Sequence, residues 1–145
     1  MKRILHFLLI LFFANTLYSF AQDSPTSKEQ RPFEGHFYCP ETGVHLHLNL
    51  YEKNIEIPNF SFLGNTHGYM NGRIYGTWML VKHEINKHTA TLRFSNDIGS
   101  DTQVIEFTQN PDKTYTYQTI HGNSIRKAVG RNLVKTTGHM IFKRQ

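Results

Sequence analysis

The chain has 145 residues, 16 lysines and arginines against 11 acids, nine histidines and one cysteine. That length bounds a single domain able to bury a core unaided, and one thiol excludes an internal disulfide framework. No Gly-x-Ser-x-Gly, His-Glu-x-x-His, phosphate-cradling glycine loop or dinucleotide fingerprint occurs, which sets aside the enzyme classes those motifs serve.

Lys2 and Arg3 precede an apolar block from Ile4 to Ala14, and Ser19-Phe20-Ala21 leads into polar Gln22-Asp23-Ser24. These are the three parts of a secretory signal peptide over residues 1–21, with cleavage expected after Ala21. Asn15, Thr16 and Ser19 interrupt the run before the roughly 20 apolar residues of a spanning helix, so no membrane span is expected. No cysteine follows the small residues, so a lipid-anchored lipoprotein is not indicated. The mature protein is expected in the periplasm or outside the cell. Residues 22–32 lack large apolar side chains and read as a disordered leader; residues 33–145 read as the folded domain.

From Phe33 onward β-branched and aromatic residues alternate with polar ones between recurrent turn signals, the pattern of an antiparallel meander. Candidate strands are Phe33–Tyr38, Val44–Tyr51, Asn54–Pro58, His67–Met70, Arg73–Lys82, Thr89–Ser95, Thr102–Gln109, Thr114–Ile120 and His139–Lys143. Asn71-Gly72 supplies the positive φ angles of a type I′ hairpin and marks a turn between Met70 and Arg73. Asn86-Lys87, Asn96-Asp97-Ile98-Gly99, Asn110-Pro111-Asp112 and Gly122-Asn123 mark others. Residues 123–135 fit either an amphipathic helix, through Ile125, Val129 and Leu133, or strands divided by Gly130; the context favours strands.

Each strand has one apolar face: Val44, Leu46, Leu48 and Leu50; Ile74, Trp78 and Leu80; Ala90, Leu92 and Phe94; Ile105 and Phe107. A one-sided sheet of eight or nine strands must hide that face, and closure into an up-and-down barrel also removes its edges. The expected fold is all-β, a single antiparallel meander closing into a small barrel, with a β-sandwich as the alternative. The strand succession, Gly76-Thr77-Trp78 and the terminal Arg144 resemble the small secreted lipocalin-like barrels. In that family a Gly-x-Trp lies on the first barrel strand and an arginine from the end of the barrel packs over the tryptophan. Here the triplet falls mid-chain, and neither a disulfide nor a C-terminal helix is evident.

An interior of Trp78, Leu80, Phe94, Phe107, Tyr115 and Tyr117 suits core packing or a small apolar or amphipathic ligand better than proton transfer. The first expectation is therefore a non-enzymatic binding protein with no cofactor, its ligand held by those six residues in the barrel or its mouth. A barrel filled by its own side chains is the competing reading.

Charge supplies a second expectation. Loss of Lys2 and Arg3 with the leader lowers the formal charge from +5 to +3, and no acid follows Asp112, whereas Lys113, Arg126, Lys127, Arg131, Lys135, Lys143 and Arg144 do. For an exported chain such a face suits an acidic protein, an anionic glycan or a lipid headgroup rather than nucleic acid, with Arg126, Lys127 and Arg131 as contacts.

His45 and His47 share one strand face and suggest a two-imidazole metal site of an enzyme. A zinc site needs a third ligand, and no spacing selects one from His36, His67, His83, His88, His121 and His139. Facing the histidines inward would turn Val44, Leu46, Leu48 and Leu50 out to water at about 1.5–3 kcal/mol each, so both rings are expected outside and no metal is assigned. Ser95–Asp101 carries oxygen ligands around a glycine but lacks the calcium-hand spacing, and reads as an Asx-stabilised turn. Cys39 reads as a small buried hydrophobe.

Overall fold

The computed structural model describes residues 31–98 and 100–145. The expected signal peptide and nearly all of the expected leader lie outside these residues. The strands are β1 (Glu34–Cys39), β2 (Val44–Asn49), β3 (Ile55–Glu56), β4 (Asn65–Thr66), β5 (Gly68–Gly72), β6 (Trp78–Asn86), β7 (Thr89–Asn96), β8 (Thr102–Gln109), β9 (Tyr115–Gly122), β10 (Arg126–Val129), β11 (Asn132–Lys135) and β12 (His139–Arg144), with a 3₁₀ turn at Ser61–Leu63. Eight of them form a closed antiparallel barrel in the order β1-β12-β9-β8-β7-β6-β5-β2. It is an up-and-down path: each barrel strand pairs with the next in the chain, and the last closes on the first through Phe37 opposite Arg144 and Tyr38 opposite Lys143. Two small hairpins, β3-β4 and β10-β11, stand apart from the barrel ladder.

An eight-stranded barrel is just wide enough for side chains to fill. Val44, Leu46, Ala90, Leu92, Phe94, Ile105 and Phe107 are all 0% exposed, as their alternation requires, and Cys39 is buried among them. At the end that holds Pro32 and Arg144, Phe37, Phe107, Tyr115 and Phe142 pack ring against ring, with centroids 4.7 Å apart for Phe37–Tyr115 and 5.8 Å for Phe107–Phe142.

That end is sealed by Arg144. Its guanidinium lies 5.2 Å from the Phe37 ring centroid and 5.6 Å from that of Tyr115, and Nη2 donates to Arg31 O at 3.0 Å, to the Tyr115 hydroxyl at 2.7 Å and to Pro32 O. The Tyr115 hydroxyl itself donates to Pro32 O at 2.7 Å. Arg31 and Pro32, which composition assigns to the leader, are thereby tied to the barrel. Arg144 thus stacks on Phe37 and Tyr115 rather than on Trp78, which begins β6 at the other end.

Two sequence expectations need correction. Asn71-Gly72 is not a hairpin turn: both residues belong to β5 and pair with His45 and Val44 of β2. Gly72, at φ 104°, is required there because a Cβ would sit 2.4 Å from Gly43 O. The strand expected to start at Arg73 starts at Trp78 and runs on to Asn86, because Arg73–Thr77 is held as a loop by the next hairpin. A bulge between Leu80 and Lys82 then exchanges the faces of β6, placing His83 opposite core residue Leu92. Residues 126–135 settle as a hairpin with Gly130 at φ 60° beside its turn, not as a helix.

Candidate functional site

Of the four connections at the mouth of the barrel opposite Arg144, three surround a candidate site. Asn96, 9% exposed, donates from Nδ2 to Tyr75 O at 3.3 Å and accepts at Oδ1 from the Ile98 amide at 2.7 Å. Asp97 accepts from the Thr77 amide at 2.8 Å. The Ile98 bond is the Asx bond expected of the 95–101 turn, and the other two clasp the β5–β6 loop to the β7–β8 loop. The third connection carries β10 and β11. Ile125, 1% exposed, anchors it in the core, and the Tyr75 amide donates to Arg126 O at 2.6 Å.

Between these connections lies a pocket of about 270 Å³. Tyr75, Ile98 and Leu133 supply apolar surface; Asp101 and Arg126 also line it, and neither forms an ion pair among the described residues. Trp78 lines it too, is 1% exposed, and has an indole N–H with no acceptor among the described residues. An unmade bond at a buried donor costs about 1–3 kcal/mol, which an incoming acceptor relieves. Two other depressions, of about 370 Å³ beside Leu80 and His67 and about 400 Å³ around Asn110 and Lys113, are lined by no buried side chain lacking a hydrogen-bond partner.

The six expected ligand residues all line the barrel interior, but they do not share one opening. Trp78 borders the mouth pocket and Leu80 the depression beside His67. Phe94 is 0% exposed, and Phe107 and Tyr115 belong to the ring cluster under Arg144. Tyr117 donates to the buried amide oxygen of Gln103, whose Nε2 donates to Asn123 O at 2.8 Å. Burial pushes the Tyr117 phenol well above its usual range, keeping it a neutral donor.

His45 and His47 stand on the outer face, opposite four buried aliphatic residues. The pairing of β1 with β2 adds His36 across from His47 and Tyr38 across from His45. Rings then pack against one another across three strands, Tyr38–His45 at 4.6 Å, His45–His36 at 5.0 Å, His36–His47 at 4.3 Å and His47–Tyr69 at 4.5 Å. His36 Nε2 and His45 Nδ1 share a hydrogen bond of 2.8 Å. Among the described residues no three His, Cys, Asp or Glu side chains converge on a metal position. The missing element in the sequence reading was the partner strand: a tight turn at Pro40–Gly43 pairs Cys39 with Val44 and so fixes His36 beside His47.

Half-burial, then the neighbouring His36 and His45, lower the His47 pKa from 6.5 to about 4, and burial lowers that of His36 in the same direction. The unfolded chain therefore binds protons that the folded chain refuses, so stability falls as pH drops from about 6.5 towards 4. Thermal unfolding at pH 7 and pH 5 should show a lower midpoint at pH 5, and His47→Gln should reduce that difference. An equal difference in the variant would refute the assignment.

The expected partner contacts Arg126 and Lys127 lie on β10 and Arg131 in the turn after it, all exposed and together on the one hairpin. No protein-family model, curated protein or solved structure matches the chain.

Proposed function

We propose that the chain is an exported, non-enzymatic binding protein of lipocalin-like kind that takes a small amphipathic ligand at the barrel mouth. The observation that carries this reading is the orphaned indole N–H of Trp78 beside the mouth pocket. A ligand with one hydrogen-bond acceptor for that donor and an apolar body against Tyr75, Ile98 and Leu133 meets both demands. Arg126 and Asp101 select its charged or polar end. At about 270 Å³ the pocket is near the lower end of the roughly 300–1,000 Å³ range of ligand sites, so the ligand is small.

Mass spectrometry of protein purified from its own host should recover such a molecule, on a chain beginning near Gln22. Trp78 is the sole tryptophan, so its emission reads the site directly on titration with the recovered molecule. Trp78→Phe keeps a ring and deletes the donor; calorimetry should show roughly tenfold weaker binding, the worth of one hydrogen bond. Protein recovered without any small molecule, or a ligand that leaves Trp78 emission unchanged, counts against the reading.

A further inference from the structure

The β10-β11 hairpin is exposed along its whole length, Arg126 to Lys135, although it contains Ala128, Val129, Leu133 and Val134. Pairing sorts these residues by face. Arg126 with Lys135 and Ala128 with Leu133 share the face that borders the mouth pocket. Lys127 with Val134 and Val129 with Asn132 share the other, where Val129 is 52% and Val134 43% exposed. Arg131 occupies the turn. Within the hairpin four cations meet no acid. An isolated two-stranded ribbon is marginal in water, and this one is held by Ile125 in the core and by the backbone bonds of Tyr75 to Arg126 and Thr136 to Ile125.

We infer that this hairpin docks the barrel, mouth first, on an anionic lipid surface, its valines entering the headgroup boundary and Lys127 and Arg131 meeting the phosphates. Exposed valines interleaved with cations match an interface that is apolar on one side and negatively charged on the other. A soluble polyanion would use the cations and leave the valines in water. An acidic protein would need about 20–30 residues a side for a stable complex, more than two four-residue strands offer. The inference does not rest on the ligand reading, since it uses the outer face of the hairpin and not Trp78.

The test is cosedimentation of the purified protein with phosphatidylcholine vesicles, with and without phosphatidylglycerol, at low and high salt. Binding is expected only with phosphatidylglycerol and should weaken in high salt. The Lys127→Glu/Arg131→Glu variant should lose about tenfold or more in affinity, since each cation near such a surface is worth roughly fivefold. Val129→Ser/Val134→Ser, with charge unchanged, should lose severalfold. Lys82→Glu, an exposed cation on the barrel wall, and Trp78→Phe should bind as the parent does. The variants lie in an exposed ribbon, and an unchanged unfolding midpoint checks that the barrel is intact. No vesicle binding, equal binding to both vesicle types, or full retention by the charge-reversed variant would overturn the inference. So would a Val129→Ser/Val134→Ser variant that binds vesicles undiminished, because the hairpin is then a plain polyanion or acidic-protein site. None of these outcomes alters the titration at Trp78, so the two readings fail separately.

Discussion

Replacing Phe107 with alanine is expected to lower the unfolding free energy by about 3–5 kcal/mol. Phe107 is 0% exposed and lies within ring contact of Phe33, Phe37, Tyr115 and Phe142, at centroid distances of 6.4, 5.2, 5.0 and 5.8 Å. Truncation removes contacts with all four at once. These neighbours come from the segment before β1 and from β1, β9 and β12, whose backbones are fixed by the barrel ladder and cannot collapse into the void. Urea unfolding followed by circular dichroism measures the loss, with Ile141→Ala on the outer wall as a comparison expected to cost far less. A Phe107→Ala cost below about 1 kcal/mol would mean that this end of the barrel is loosely packed.

Replacing Arg144 should cost about 2–4 kcal/mol, and lysine should recover little of it. The side chain lies over two aromatic rings while Nη2 reaches two carbonyls and a hydroxyl, and covering both rings depends on a planar guanidinium. Lysine keeps the charge but offers no flat face to lie on Phe37 and Tyr115. Arg144→Ala and Arg144→Lys should therefore unfold at similarly lowered denaturant midpoints, and amide exchange at Phe33 and Glu34 should accelerate in both. A lysine variant as stable as the parent would show that charge, not shape, closes this end.

The barrel was legible in the sequence because its alternation is strict where it matters. Leu46 and Leu92 each sit between polar neighbours, and each is 0% exposed. Boundaries were legible where a turn is self-contained, as in the strand Thr102–Gln109, and illegible where distant groups decide. Asn71-Gly72 has the chemistry of a hairpin turn, but five residues of β2 claim β5 as a neighbour, and the chain reverses only through Arg73–Thr77, where Asn96 and Asp97 hold the loop. The site was half legible for the same reason. Trp78, Arg126 and Leu133 stand out by type, yet nothing in their spacing reveals that one pocket gathers them. The imidazole stack depended on a cross-strand register, which one strand read alone does not contain.

The closing pair of the barrel joins residues from opposite ends of the chain, with Arg144 and Pro32 112 positions apart. Contacts of such range form late, because the entropy of closing so large a loop must be met before they contribute. Until β12 is available, β1 and β9 present open edges and the Phe107 cluster lacks Phe142. A ribosome-bound chain is thus held short of its stable state until β12 has emerged. Were the chain exported as proposed, that delay would keep it extended for passage and defer commitment to the folded barrel to the far side.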